Sequence, residues 1–196
     1  MPLGAFKQAI FGAAGSVGDV VLLATQTASS SASLAFTSSI NSTYKQYIFS
    51  YSNMHPATDG AKFQCNFSTD GGSNYNINKT STAFMARHRE GGAVASLAFY
   101  ATEALDNATG YQPLSVKGVL NDADAQCSGI ITLYNPSSTT FVKQYISEAV
   151  AYQEDDEATN GFVAGYANTT SAINAVAFQF SSGNIDAGTI KMYGVK

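Results

Sequence analysis

The sequence predicts an all-β protein, an antiparallel sandwich of two sheets. Three observations carry the prediction. From residue 19 onward, short runs rich in Val, Ile, Phe, Tyr and Thr follow one another. Clusters of Gly, Asn, Asp and Ser separate these runs at turn-like intervals. No stretch shows helical periodicity beyond residues 4–13, and no repeat of fixed period occurs.

Taken in order, the runs place strands at about 19–27, 31–38, 44–53, 61–68, 82–89, 93–102, 113–120, 126–134, 140–152, 160–166, 173–181 and 187–195. Residues 1–18 precede them as an arm or anchor. That segment holds four glycines, no alternation, and the apolar pair Ile10 and Phe11, which are the candidate docking residues. Residues 19–196 form the β-domain. Alternation is clearest in Tyr47-Ile48-Phe49-Ser50-Tyr51, from Phe63 to Phe67, from Ala175 to Phe180, and in Ile190-Lys191-Met192-Tyr193. Each of these stretches buries one face and turns Gln, Ser, Asn or Lys outward. The turns fall at Asp59-Gly60, Asp70-Gly71-Gly72, Gly91-Gly92, Asn121-Asp122, Asn135-Pro136 and Asn160-Gly161, where small or amide side chains tolerate positive φ.

Composition narrows the function classes. The chain has 196 residues, 45% of them apolar and only 12% charged, so its surface is polar mainly through hydroxyls and amides. Such surfaces suit large assemblies and sugars, because they hydrogen-bond without the desolvation cost of an ion. A net charge of −4, with ten Lys and Arg scattered singly, supplies no basic stripe, which excludes direct nucleic-acid binding. The apolar stretch from Ala5 to Ala24 is broken by Lys7 and Asp19, so no membrane span is expected. It also makes a poor secretion signal, and synthesis in the cytoplasm followed by assembly is expected. Cys65 and Cys127 have no second Cys or His at metal-ligand spacing. Cys65 shares the apolar face of Phe63 and Phe67, so a buried, inert thiol is favoured over a bridge to Cys127.

Three segments together resemble a domain of surface proteins of tailed bacteriophages, of the tail-fibre, receptor-binding or head-decoration type. They are Ile40-Asn41-Ser42-Thr43-Tyr44-Lys45-Gln46-Tyr47, Phe67-Ser68-Thr69-Asp70-Gly71-Gly72-Ser73-Asn74-Tyr75, and the ending from Phe178 to Gly194 with its Ser181-Ser182-Gly183-Asn184-Ile185-Asp186-Ala187-Gly188-Thr189 core. The ending is the most specific. The resemblance spans roughly residues 30–196 and implies a jelly-roll fold, display on a virion usually as a homotrimer, contact with other capsid or tail proteins, and no catalytic residues. The chain lacks the long shaft of a full fibre protein.

The residues offer little chemistry. His55 precedes Pro56 in a turn and reads as solvated, while alternation sends His88 to the face opposite Arg87 and Arg89. No Gly-x-Ser-x-Gly elbow exists, and Gly71-Gly72 and Gly91-Gly92 lack a following Lys-Ser/Thr pair, so they are hairpin turns and not phosphate loops. Five Asn-x-Ser/Thr sequons, at Asn41, Asn66, Asn78, Asn107 and Asn168, are what this composition yields by chance. Carboxylates cluster at Glu154-Asp155-Asp156-Glu157, at Asp122 with Asp124, and at Glu103 with Asp106. The acidic run reads first as a solvated loop and second as a Ca²⁺ site. Neither metal nor cofactor is expected. Tyr75, Tyr111, Tyr134 and Tyr166 lie near turns, where their rings are candidates for contact with a glycan or a neighbouring subunit.

The expected function is therefore a non-enzymatic virion structural protein, held by its arm and contributing to host attachment. A carbohydrate- or receptor-binding module is the alternative, since jelly-roll loops cluster at the ends and one face can hold a chain. A glycan-degrading enzyme comes third, because it requires two of the named carboxylates to converge across a cleft.

Overall fold

The computed structural model describes residues 20–92, 94–153 and 156–196. Ile10, Phe11 and the rest of the arm lie outside the described residues, as do Glu154 and Asp155. Among the described residues twelve strands form: β1 (Val20–Thr27), β2 (Leu34–Phe36), β3 (Gln46–Pro56), β4 (Phe63–Ser68), β5 (Lys79–Arg89), β6 (Ala95–Phe99), β7 (Gln112–Pro113), β8 (Cys127–Tyr134), β9 (Lys143–Gln153), β10 (Glu157–Ala167), β11 (Ala175–Phe180) and β12 (Ile185–Val195).

These strands make two antiparallel sheets, as the alternation predicts. The larger runs β1-β12-β3-β8-β9-β10-β5-β6 and the smaller β2-β11-β4-β7. Between β1 and β4 the chain changes sheet at every strand, and it does so again from β7 to β8 and from β11 to β12. That alternation is compatible with the expected jelly-roll winding. Strands β5, β6, β9 and β10 widen the large sheet beyond β8.

The core fills the space between the sheets. Tyr47, Phe49 and Tyr51 of β3 point inward, and Phe63, Cys65 and Phe67 of β4 meet them from the other side. Phe63 stacks on Phe178 with centroids 5.9 Å apart, and Phe36 meets Phe49 edge-on at 5.4 Å. Each such ring contributes about 2–3 kcal/mol by leaving water. Past the short β7, residues 114–119 continue the cover over the widened sheet: Leu114 and Val116 are buried, and Gln153 Nε2 donates to the Ser115 carbonyl at 3.1 Å.

Several expectations are corrected. The stretch 113–120 is not a strand beyond Pro113. Its backbone is held instead by Ser115, whose Oγ accepts from Phe63 N–H at 3.1 Å and donates to the Lys117 carbonyl at 2.7 Å. Asn160-Gly161 is not a turn but the middle of β10, paired with Val150 and Ala149 on one side and with Ala86 and Met85 on the other. The β9–β10 pairing already begins at Gln153 and Glu157, ahead of Asn160, and Asp156 takes φ 55°. From Ala175 to Phe178, β11 is buried on both faces and does not alternate. Asn66 is buried too, although its face of β4 was expected to be solvated.

Candidate functional site

Apart from its edge strand β1, where Val20 and Leu22 are exposed, the outward face of the large sheet divides into two parts of opposite character. Over β8, β9, β10, β5 and β6 it is apolar. The ladder registers set Leu97 beside Ala86, Ala86 beside Asn160 and Asn160 beside Val150; in the next row Phe99, Phe84, Phe162, Glu148 and Ile130 line up. Phe84 and Phe162 stack with centroids 4.9 Å apart. Leu97 is 70% exposed, Phe99 62%, Val150 56% and Ile146 52%. Isolated exposed apolar residues are ordinary, but a contiguous field of them on one sheet face is not.

Glu148 is the one carboxylate among the outward positions of these strands, and no Lys or Arg shares them. Its Oε1 accepts from Asn160 Nδ2 at 3.1 Å. Beside Leu97 the face dips into a shallow depression of about 310 Å³, lined by Ala86, His88, Val150, Ala158 and Asn160 among others. His88 is exposed and lies opposite Arg87 and Arg89, as alternation predicts.

The four candidate tyrosines separate into two pairs. Tyr134 and Tyr166 sit at one end of the outward face with Gln144 between them, and the exposed Phe141 and Val142 flank Tyr134. Tyr75 and Tyr111 are elsewhere and half-buried, their phenols pushed above the ordinary range by desolvation. Tyr75 Oη has no hydrogen-bond partner and packs under Gly72.

Over β3 and β12 the same face is polar. Ser50, Ser52, Asn53, Ala187, Gly188, Thr189, Lys191 and Tyr193 enclose a cleft of about 540 Å³. Two facing irregularities make it: the register slips between Tyr51 and Met54 on β3 and between Ala187 and Thr189 on β12. Asn53 takes φ 54° and Gly188 φ 126°, the positive values that such bulges require. A second depression, which shares Asn53 and Ala187 with the first, continues to His55 and Asp124. His55 is not a freely solvated turn residue, because its Nε2 donates to the Asp122 carbonyl at 3.1 Å.

The acidic run does not form an open cation site at its described end. Glu157 is completely buried, and its carboxylate faces cations: Arg87 Nη1 and Arg89 Nη2 each lie 3.2 Å from Oε1, and Lys117 Nζ lies 3.4 Å from Oε2. Burial works to raise its pKa, but Lys117 and Arg87 outweigh that and hold the carboxyl below its ordinary range. Glu103 is likewise engaged, accepting from Lys62 Nζ at 2.6 Å. Among the described residues no cluster of three or more His, Cys, Asp or Glu side chains is placed to hold a metal. Cys65 and Cys127 are both free and buried.

Sequence reasoning missed the apolar half of the face. A signal was present in Ala83-Phe84-Met85-Ala86, Ala149-Val150-Ala151 and Phe162-Val163-Ala164, where apolar residues occupy both phases of a strand. No helix of the described residues is long and apolar enough to cross a membrane. No family model matches the chain, and no curated protein matches it.

Proposed function

We propose that this protein is a non-enzymatic structural subunit of a tailed-bacteriophage particle, a jelly-roll-type sandwich displayed on the capsid or tail through residues 1–18 and working by packing against other subunits. The apolar half of the outward face carries the reading, since a face that exposes Leu97, Phe99, Ile146 and Val150 is built to be covered. Low charge and the residues that resemble phage surface domains support it. The test is detection of the chain on purified particles assembled from the genome that encodes it, by antibody labelling of their surface. Surface labelling that disappears when residues 1–18 are deleted, with the β-domain still folded, is the expected result; particles without the chain would sink the reading.

The polar cleft favours a second reading, a carbohydrate-binding role that is compatible with the first. Ser50, Ser52, Asn53 and Thr189 offer hydroxyl and amide partners, Lys191 a cation, and Tyr193 a ring for a sugar face. A glycan array probed with the full chain tests it. Binding that is lost in Tyr193→Ala supports the role, and an array without signal at high protein concentration removes it.

A further inference from the structure

We propose that the apolar half of the outward face is covered by a second copy of this chain, with Leu97 of one subunit seated in the depression between Ala86, Val150 and Ala158 of the next. The proposal rests on the reading of the protein as an assembling subunit and adds the identity of the neighbour.

Area is the first argument. Phe84, Leu97, Phe99, Ile130, Ile146 and Val150 are all exposed large apolar residues of these five strands. At the exposures they show, they leave on the order of 600 Å² open, close to the roughly 800 Å² that each partner contributes to a standard stable interface. That is also the upper end of what a free monomer leaves uncovered.

Shape is the second. The face carries both halves of a fit: Leu97, its most exposed apolar residue, and a hollow lined by Ala86, the residue that pairs with Leu97 across the ladder. Small residues at Ala86, Ala158 and Ala164 alternate with Phe84, Val150 and Ile146, so two such faces interdigitate at the spacing of about 10 Å found between packed sheets. A surface bearing both knob and hollow satisfies the rule that each residue of a self-made contact must find its complement on the same molecule.

Charge is the third. With Glu148 as its one carboxylate, no Lys or Arg among its outward positions, and the Arg87 that also lines the hollow paired with Glu157, the face has little to attract a nucleic acid or an anionic membrane surface, and a neutral apolar face is its complement. Glu148 is kept hydrogen-bonded by Asn160 from its own sheet.

The experiment measures the solution mass of the full chain by light scattering across a dilution series, for the wild type, Leu97→Asp, Val150→Lys and the control Ser182→Asp, which lies at the exposed turn before β12. Circular dichroism and thermal melts confirm that each variant is folded. A wild type at a multiple of the protomer mass, self-association weakened by about tenfold or more in both face variants, and an unaffected control are the expected results. A monomeric wild type overturns the proposal, whether the face is then covered by the chain's own residues 1–19 or by a different protein. An oligomer that both face variants leave intact overturns it equally. A monomer still found on particles removes self-docking alone, whereas an oligomer sensitive to Leu97→Asp but absent from particles supports the contact and removes the particle reading.

Discussion

Val116 and Gly161 are packed into one another: the Cγ2 of Val116 lies 2.7 Å from the place a Cβ on residue 161 would occupy. Val116 holds this position with φ 56°, which is rare for a β-branched residue, so the covering segment is strained to reach the strand. Gly161→Ala should push the segment off the sheet. The expected cost is about 1–3 kcal/mol, seen as a lower midpoint in denaturant unfolding with the slope unchanged. An unaltered midpoint would mean that Val116 swings aside without loss.

The same contact explains where the sequence misleads. Asn160-Gly161 has the composition of a turn, yet glycine is there to make room for a side chain arriving from residue 116, a relation over long sequence separation that no local pattern contains. Strand alternation in Tyr47-Ile48-Phe49-Ser50-Tyr51 is legible because one side meets the core and the other meets water. In β5, β9 and β10 both sides carry apolar residues, so the two-sheet fold is legible but the apolar outward half is not. Glu157 looks like the end of a solvated acidic run because adjacency in sequence says nothing of Arg87, Arg89 and Lys117 converging on it from other segments.

Glu157 ties the start of β10 to the end of β5 and to the covering segment. Its folded pKa is depressed, so its contribution to stability is present above the unfolded value of about 4.3 and is lost as pH falls through the folded value. Glu157→Gln should cost about 2 kcal/mol near neutral pH, less than the roughly 3–5 of a fully buried pair because the three cations remain partly in water. Unfolding free energies of wild type and variant should then converge as pH drops below about 4. Curves that run parallel down to acid would show that the carboxylate is not held by these cations.

Lys79 is fully buried, with Nζ donating to Asn66 Oδ1 at 2.6 Å and to the Ile77 carbonyl at 2.7 Å. Asn66 in turn donates through Nδ2 to the carbonyls of Tyr75 and Thr109, which fixes the loops that cover β4. Asn66→Leu strips the ammonium of one acceptor and both loops of a donor. It should cost about 2–3 kcal/mol, part of which returns in the double variant with Lys79→Met. Desolvation lowers the Lys79 pKa to about 8, against about 10.4 when unfolded. Between those values the unfolded chain holds the extra proton, so the stability of wild type relative to Lys79→Met should rise with pH across that window. A pH-independent difference would place the ammonium in contact with water.

The two thiols should act with the opposite sign in nearly the same range. Burial pushes Cys65 up to about 12 and Cys127 higher still, while unfolded thiols ionise near 8.5. Each therefore contributes stability that is full below about 8.5 and is lost as pH rises toward the folded values, because only the unfolded chain gives up its protons there. Replacing both by Ala should flatten the alkaline fall in stability, even though the cavities left behind lower stability at neutral pH by about 1–2 kcal/mol in all. Because thiolates and not thiols react, maleimide should label neither cysteine in the native protein and both in denaturant. Stoichiometric labelling of the folded protein would show that one of the two reaches solvent, and would remove both the inert-thiol assignment and the sign of this pH effect.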